Sequence, residues 1–353
     1  MNDVGMVMPV YNQEPKYLRL SIISVLQQTY KNFYLVIVID GANALTRNII
    51  YQFKNDPRII IIDNKVNQGI SNALNKGFDY LSQLNEVQFL TWGSSDNIVY
   101  PHFIEKLRKK LKDAPPDVGL VYSSFHHINA RGKIMHNNIQ QLNIRKWQQN
   151  KVINDLLDSS FIGTSFMYKK AFAERIGGYY LDPVQTYDYW LRLTEICNIE
   201  FIPEELMGYR LNSRLSLSKE ILFNIDKHRW WRNQFNIARH MARKRRKIAY
   251  ETTIIFPVQN NDVTIKEIEN ILEQQYHNYQ LIFIDKTKQI QPKLKNTGVK
   301  DPRITVIEVS DAEFSNLDKT YKPMTPLKLV YSKNINLTNV HSLSNIINQM
   351  KTV

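Results

Sequence analysis

The chain has 353 residues, 43% of them apolar and 22% charged, a composition that excludes wholesale disorder. No apolar run approaches the ~20 residues needed to cross a bilayer, and the first residues lack the basic-then-apolar layout of a signal peptide, so an integral membrane protein and a conventionally secreted one are both poor readings. A net charge of +13 and a single cysteine, Cys197, describe a basic protein suited to a reducing cytoplasm, with neither a disulfide framework nor a cysteine-built zinc site.

In chain order, strands and helices alternate. Val4–Val10 is an apolar run followed by Tyr11 and Asn12. Tyr17–Gln28 carries Leu18, Ile22, Val25 and Leu26 at helical spacing. Tyr34–Ile39 is a β-branched run ending at Asp40-Gly41. Ala44–Lys54 reads as helix, Arg58–Ile62 as strand, Gly69–Leu84 as helix and Val87–Thr91 as strand. Such units predict a mostly parallel sheet with helices on both faces. Ligands of such sheets bind beyond the carboxyl ends of the strands. Tyr11, Asn12, Asp40, Asn64, Asn67 and the run Ser94–Asn97 are therefore the polar residues to watch.

Charge is uneven along the chain. Between Lys219 and Tyr250 there are ten basic residues against two acidic ones. This stretch reads as a helical linker over 219–250 that either meets an anionic partner or faces solvent. Beyond it the sequence repeats itself. Ile254–Asn260 echoes Val7–Asn12 around Pro-Val-x-Asn, Ile271–Asp285 echoes Val25–Asp40, and Asp301-Pro302-Arg303-Ile304 echoes Asp56-Pro57-Arg58-Ile59, at offsets between 245 and 248. No sequence match continues after Ile307. The expected organisation is a main domain over 1–218, the linker, and a truncated repeat over 251–353 serving packing, dimerisation or acceptor binding.

Seven short motifs of the main domain, in order, resemble the family 2 glycosyltransferases. They are Met8-Pro9-Val10-Tyr11-Asn12; Ser24-Val25-Leu26-Gln27-Gln28-Thr29-Tyr30; Ile39-Asp40-Gly41; Asn67-Gln68-Gly69-Ile70-Ser71 leading to Asn75; Ser94-Ser95-Asp96-Asn97; Gly177-Gly178-Tyr179 with Tyr187-Asp188-Tyr189-Trp190-Leu191-Arg192; and Tyr209-Arg210 ahead of Ser216 and Ser218. The resemblance covers roughly residues 3–218. It implies an α/β GT-A nucleotide-sugar fold, a mostly parallel sheet flanked by helices, here with a smaller C-terminal α/β half-repeat. It also implies inverting transfer.

The resemblance carries residue roles with it. Breaking the bond between a sugar and a nucleoside diphosphate builds charge on phosphate oxygen, which a divalent cation, Mn or Mg, neutralises. Asp96 takes the metal position. Ser94 stands where the family has a first Asp, so one carboxylate remains; the same four residues taken alone would read as a polar turn capping a helix. Asp188 takes the position of the base that removes the acceptor hydroxyl's proton, although an Asp in a first helical turn also suits the helix dipole. Pro9, Tyr11, Asn12 and Asp40 would face base and ribose. Asn67, Gly69 and Ser95 would border the donor, and Arg210, with Arg214 as a weaker candidate, the diphosphate. Trp190 and Arg192 would touch the acceptor, with core packing and a structural ion pair as their plainer alternatives.

The expected function is transfer of a sugar from a nucleotide-sugar, a UDP-sugar by preference, to a surface glycan, a lipid-linked precursor, a teichoic-acid-like polymer or a glycoprotein. The alternative is a catalytically weakened scaffold for a partner enzyme. The basic segment 219–250 could hold the chain at an anionic membrane or polymer, and the repeat could supply a homodimer interface. Nucleic-acid binding has only the run Arg243–Lys247 in its favour and no reader module.

Overall fold

Val4–Val10 (β1) is buried at every position except Pro9, as a central strand covered on both faces requires. The chain then runs through α1 (Pro15–Leu26), β2 (Phe33–Asp40), α2 (Ala44–Tyr51), β3 (Ile59–Asn64), α3 (Ile70–Ser82) and β4 (Phe89–Trp92). Helix starts follow local chemistry. Pro15 opens α1, where a missing N–H costs nothing, and the Asn43 side chain caps α2 by accepting from the Thr46 amide at 2.9 Å.

β2 pairs in parallel with one edge of β1 and β4 with the other, while β3 extends β2. The strand order therefore reverses between β1 and β4, which is where such a sheet opens a crevice at its carboxyl ends. The crossover helix α3 lies tight on β1. A Cβ on Gly77 would sit 2.5 Å from Val7 Cγ1, and one on Gly5 would sit 2.7 Å from Leu81 Cδ1.

The unit continues with β5 (Ile98–Val99), α4 (Phe103–Asp113), β6 (Val118–Ile128), α5 (Asn138–Gln149), β7 (Phe166–Lys169), α6 (Lys170–Ile176), α7 (Gln185–Leu193), β8 (Asn198–Arg210) and α8 (Leu217–Phe223). The eight-stranded sheet reads β3-β2-β1-β4-β7-β6-β8-β5, with β7 antiparallel to both its neighbours and β5 antiparallel to β8. The computed structural model describes residues 2–211, 217–315 and 325–352 and separates into two units, Met1–His228 and Arg229–Val353.

That boundary falls inside the expected linker. Helix α9 (Ile225–Arg246) belongs, from Arg229 onward, to the second unit. Arg229 pairs with Glu269 at 2.7 Å, and Arg232 pairs with Glu269 at 2.9 Å and Glu273 at 2.6 Å. Arg232, Arg239 and Arg243 are buried. Much of the basic run thus serves the interior of its own unit rather than an outside surface; Lys219, Lys227, Lys244, Arg245 and Lys247 face outward.

The second unit contains β9 (Thr252–Val258), α10 (Ile265–Leu272), β10 (Tyr279–Asp285), α11 (Ile290–Asn296), β11 (Ile304–Glu308) and β12 (Leu327–Val330), in an all-parallel sheet of order β11-β10-β9-β12. This repeats β3-β2-β1-β4. Side chains repeat too. Arg58 holds Asp56 and stacks on Phe33, and Arg303 holds Asp301 and stacks on Tyr279.

The copy extends past Ile307, further than sequence matching reached. In the first unit, buried Gln28 donates to the Tyr100 carbonyl at 2.8 Å and accepts from the Ile104 amide at 2.9 Å. In the second, buried Gln274 donates to the Leu337 carbonyl at 2.8 Å and accepts from the Leu343 amide at 2.9 Å. The helix Ser342–Lys351 is therefore the counterpart of α4. Gln274→Leu would strand both main-chain partners, at about 1–3 kcal/mol for each buried group. The expected result is at least tenfold faster hydrogen exchange at the Leu343 amide, with no change at Ile104.

Candidate functional site

The rim at the β1/β4 reversal is assembled by hydrogen bonds between segments distant in sequence. After β1, Asn12 Oδ1 accepts from the Asn43 amide at 2.9 Å, tying this turn to the one after β2. Gln13 Nε2 donates to Ser95 Oγ at 3.0 Å, tying it to the turn after β4. Tyr11 is 52% exposed, so its ring is available to a planar partner. Pro9, the penultimate residue of β1, is half-buried.

Asp40 ends β2 and is buried. Its carboxylate accepts from the amides of Gln68 and Gly69, both at 3.0 Å, and from Asn64 Nδ2 at 3.0 Å. Asp40 is thereby committed to closing the loop between β3 and α3, a use the sequence did not suggest. Gly41 follows because Asn67 passes over it: with φ +67°, its Cβ would lie 2.2 Å from the Asn67 nitrogen. Asn67 is exposed, and Gly69, at φ +91°, leads directly into the N-terminus of α3. That end carries partial positive charge and suits a phosphate group.

The β4 turn presents Asp96, 7% exposed, whose Oδ1 accepts from Ser94 Oγ at 2.7 Å. Ser94 thus supports the carboxylate where the family pattern has a second one. Ser95 and Asn97 are buried beside it. Arg210, at the end of β8, donates through Nε to the Asp96 carbonyl at 2.9 Å and through Nη1 to the Asn129 carbonyl at 2.8 Å, and its amide donates to Asn97 Oδ1 at 3.0 Å. Its guanidinium lies 4.1 Å from the centre of the Tyr17 ring. Burial lowers its pKa from the ordinary value, with Tyr17 and Asp96 acting in the opposite sense. Arg210 positions the Asp96 turn, a use the sequence did not suggest beside its expected place on a diphosphate. Arg214, Asn212 and Ser216 lie outside the described residues. Among the described residues no three His, Cys, Asp or Glu side chains cluster as a metal cage.

The motif pieces further along form a separate clamp. Asn75 of α3 donates to the Tyr179 carbonyl at 3.0 Å and accepts from the Tyr179 amide at 2.7 Å. Gly178 is required there, since a Cβ would lie 2.5 Å from Asn75 Oδ1. Arg192 donates to the Ile176 and Gly178 carbonyls at 2.8 and 2.7 Å and to Asp188 Oδ2 at 2.8 Å. Asp188 is 2% exposed. The base role expected of Asp188 therefore requires an acceptor that displaces its Arg192 contact. Trp190 is fully buried, 4.3 Å edge-on from Phe166, and belongs to the core rather than to an acceptor platform. Arg192, partly exposed, makes the ion pair that was its plainer alternative.

The segment does send one carboxylate to the rim. Asp182, half-buried, accepts from Ser71 Oγ and lies 3.0 Å from where a Gly69 Cβ would be. Nothing in the sequence pattern singled it out; a lone Asp before Pro reads as a turn.

In the second unit the corresponding strand ends carry different side chains. Asp285 accepts from the Thr287 and Ile290 amides at 2.8 and 2.9 Å, tying the end of β10 to the start of α11. Asn334 is the fourth residue after β12, as Asp96 is after β4, so an amide stands where the first unit has its carboxylate.

A 3-2-1-4 sheet with its polar rim at the reversal, extended by an antiparallel β7, is the GT-A fold of nucleotide-sugar-dependent transferases. A model described as glycosyl transferase family 2 matches residues 6–177, and the N-terminal unit belongs to that family. An uncharacterized glycosyltransferase of Rickettsia felis is 25% identical over 350 residues, covering 85% of this chain, more than the first unit alone could supply. The chain spans about half the length of the curated relatives it matches, 56% of that one and 48% of one from Rickettsia bellii. Two solved structures share the fold: S. aureus TarS 1-349 in complex with UDP-GlcNAc (TM-score 0.53, 11% identity, 84% of this chain and 79% of that one) and the mannosyltransferase PcManGT of Pyrobaculum calidifontis in complex with GDP-Man and Mn2+ (TM-score 0.51, 14% identity, 69% and 64%). No helix among the described residues is long and apolar enough to cross a membrane.

Proposed function

We propose that the N-terminal unit transfers a sugar from a nucleotide-sugar donor, a UDP-sugar by preference, to a hydroxyl of a glycan, lipid-linked or protein acceptor, with inversion at the anomeric carbon. The carrying observation is the rim itself, where the Asp40-closed loop, the N-terminus of α3 and the Asp96 turn meet at the strand reversal. The donor's base would stack on exposed Tyr11, with Pro9 and Asn12 beside it; the donor would pass Asn67 and Gly69, and its diphosphate would lie toward the Asp96 turn. Asp96, with Ser94 behind it and Ser95 alongside, is an oxygen donor that fits a Mn or Mg ion keeping waters and phosphate oxygens as its other ligands. Such an ion, when bound, supplies charge neutralisation for the leaving diphosphate.

The acceptor hydroxyl must lose a proton to a group it can reach. Asp188 fills this role if the acceptor displaces its Arg192 contact, and Asp182, on the rim, is the alternative. With Asp182 as the base, Asp182→Asn is expected to lower turnover by roughly 10²–10⁴-fold, with donor binding and melting temperature nearly unchanged. Equal loss of donor affinity would instead make Asp182 a donor-loop support.

The burial of Asp188 also favours a second reading, a transferase-like unit with weakened chemistry that serves a partner enzyme. Release of nucleoside diphosphate from a panel of UDP-, GDP- and dTDP-sugars, with Mn or EDTA and candidate acceptors, separates the two. Metal-dependent release from one donor supports the enzyme. Binding without release supports the partner role.

A further inference from the structure

Helix α5 is amphipathic the wrong way round for a soluble surface. It buries Gln141 and Gln148 and turns Ile139, Leu142 and Trp147 outward, Ile139 being 72% exposed. Polar contacts fix this orientation. Gln141 Nε2 donates to the Phe125 carbonyl at 3.2 Å and to Glu205 Oε1 at 3.1 Å, Arg145 grips both oxygens of Glu205 at 2.7 and 2.8 Å, and Gln148 Nε2 donates to the Phe161 carbonyl at 3.2 Å. Rotating the helix to hide its apolar side would break all of them. The flanking chain adds exposed Ile134, Met135 and Val152 to the same segment. An outward apolar cluster of this kind marks an interaction surface.

Charge indicates the occupant. Residues 129–152 contain Arg131, Lys133, Arg145, Lys146 and Lys151 and no Asp or Glu. Arg145 is held by Glu205 and Lys151 approaches Asp155, while Arg131, Lys133 and Lys146 are exposed. Apolar side chains with a Trp, interspersed with cations and with no carboxylate of the segment's own, are the chemistry of a segment that rests in the headgroup layer of an anionic bilayer. A protein partner would be expected to meet a mixture of charges instead. The segment also starts at the rim: Arg210, which positions the Asp96 turn, donates to the carbonyls of Asn129 and Ala130 at 2.8 and 3.2 Å.

We propose that the face formed by residues 131–152 docks the chain on an anionic lipid surface, next to the candidate transfer site. This replaces the basic helix expected for that task, whose arginines pair largely within the second unit. Docking is independent of transfer and is read without turnover.

The test is sedimentation of the 353-residue chain with vesicles of phosphatidylcholine alone or mixed with phosphatidylglycerol. The expected result is binding to the anionic vesicles, weakened by salt and absent with phosphatidylcholine alone. The triple variant I139S/L142S/W147S is expected to bind more than tenfold more weakly, and K133E/K146E weaker by roughly fivefold or more per cation. All three proteins should melt alike, because the changed side chains are exposed. Three results would overturn the proposal: no binding to anionic vesicles, equal binding by the triple variant, or a dimer that the triple variant converts to monomer, which would mean that a second copy covers this face.

Discussion

Asp96→Ala is expected to lower metal-dependent turnover of the nucleotide sugar by about 10²–10³-fold, the usual effect of removing one well-placed electrostatic group. Only one carboxylate stands at the β4 turn, so no neighbour replaces it. The fold should survive. The hydrogen bond from Ser94 Oγ to Asp96 Oδ1 is worth about 1 kcal/mol, which shifts the melting point of a unit this size by a few degrees, roughly 2–4 °C. Ser94→Ala removes the same hydrogen bond and keeps the carboxylate, so it should lose no more than about tenfold in rate. Turnover by both variants at several Mn concentrations checks this. A Ser94→Ala loss as large as that of Asp96→Ala would mean that the turn's shape, not its charge, matters.

Asp188→Ala should act on stability first. Removing one partner of a buried pair leaves the Arg192 guanidinium uncompensated, at a cost of about 3–5 kcal/mol. It also loosens the clamp that Arg192 makes on the 176–178 carbonyls. A melting point lower by on the order of 10 °C follows. The double variant D188N/R192Q should be less destabilised than the sum of the single ones, because the unpaired charge disappears with its partner. At a temperature where Asp188→Asn is fully folded, turnover per folded molecule should stay within about tenfold of wild type if Asp182 is the base. A loss beyond about 10²-fold there, with the fold intact, would identify Asp188 as the base.

Much of the fold was legible because its signals are local. Apolar runs punctuated by Asp-Gly, and helical spacing in Tyr17–Gln28, are set by the backbone and by neighbours within a few residues. The repeat was legible as far as Asp301-Pro302-Arg303-Ile304, because an ion pair within one turn and the ring it stacks on constrain sequence strongly. Beyond Ile307 the equivalence rests on one buried glutamine, Gln274, whose partners are main-chain groups of Leu337 and Leu343. Main-chain partners leave no trace in side-chain identity, so sequence matching stopped there.

The site was legible in its parts and not in their assignment. Motif residues mark positions with constrained environments, and a clamp constrains as firmly as a catalytic centre. Asn75, Gly178, Asp188 and Arg192 pack and bond to one another. Arg210 looked like a phosphate ligand and is tied to carbonyls. Asp40 looked like a partner for a base and closes a loop. Which charged groups remain open to a ligand depends on burial, and burial is a property of the assembled sheet ends.

Calorimetric titration of the chain with UDP-GlcNAc, other UDP-sugars and GDP-Man, each with Mn and with EDTA, tests the central claim most directly. The expected result is saturable binding of one donor class, strengthened by Mn and lost in Asp96→Ala. Absence of binding heat for every donor, at concentrations where the protein is folded, would contradict a nucleotide-sugar site at the β1/β4 reversal.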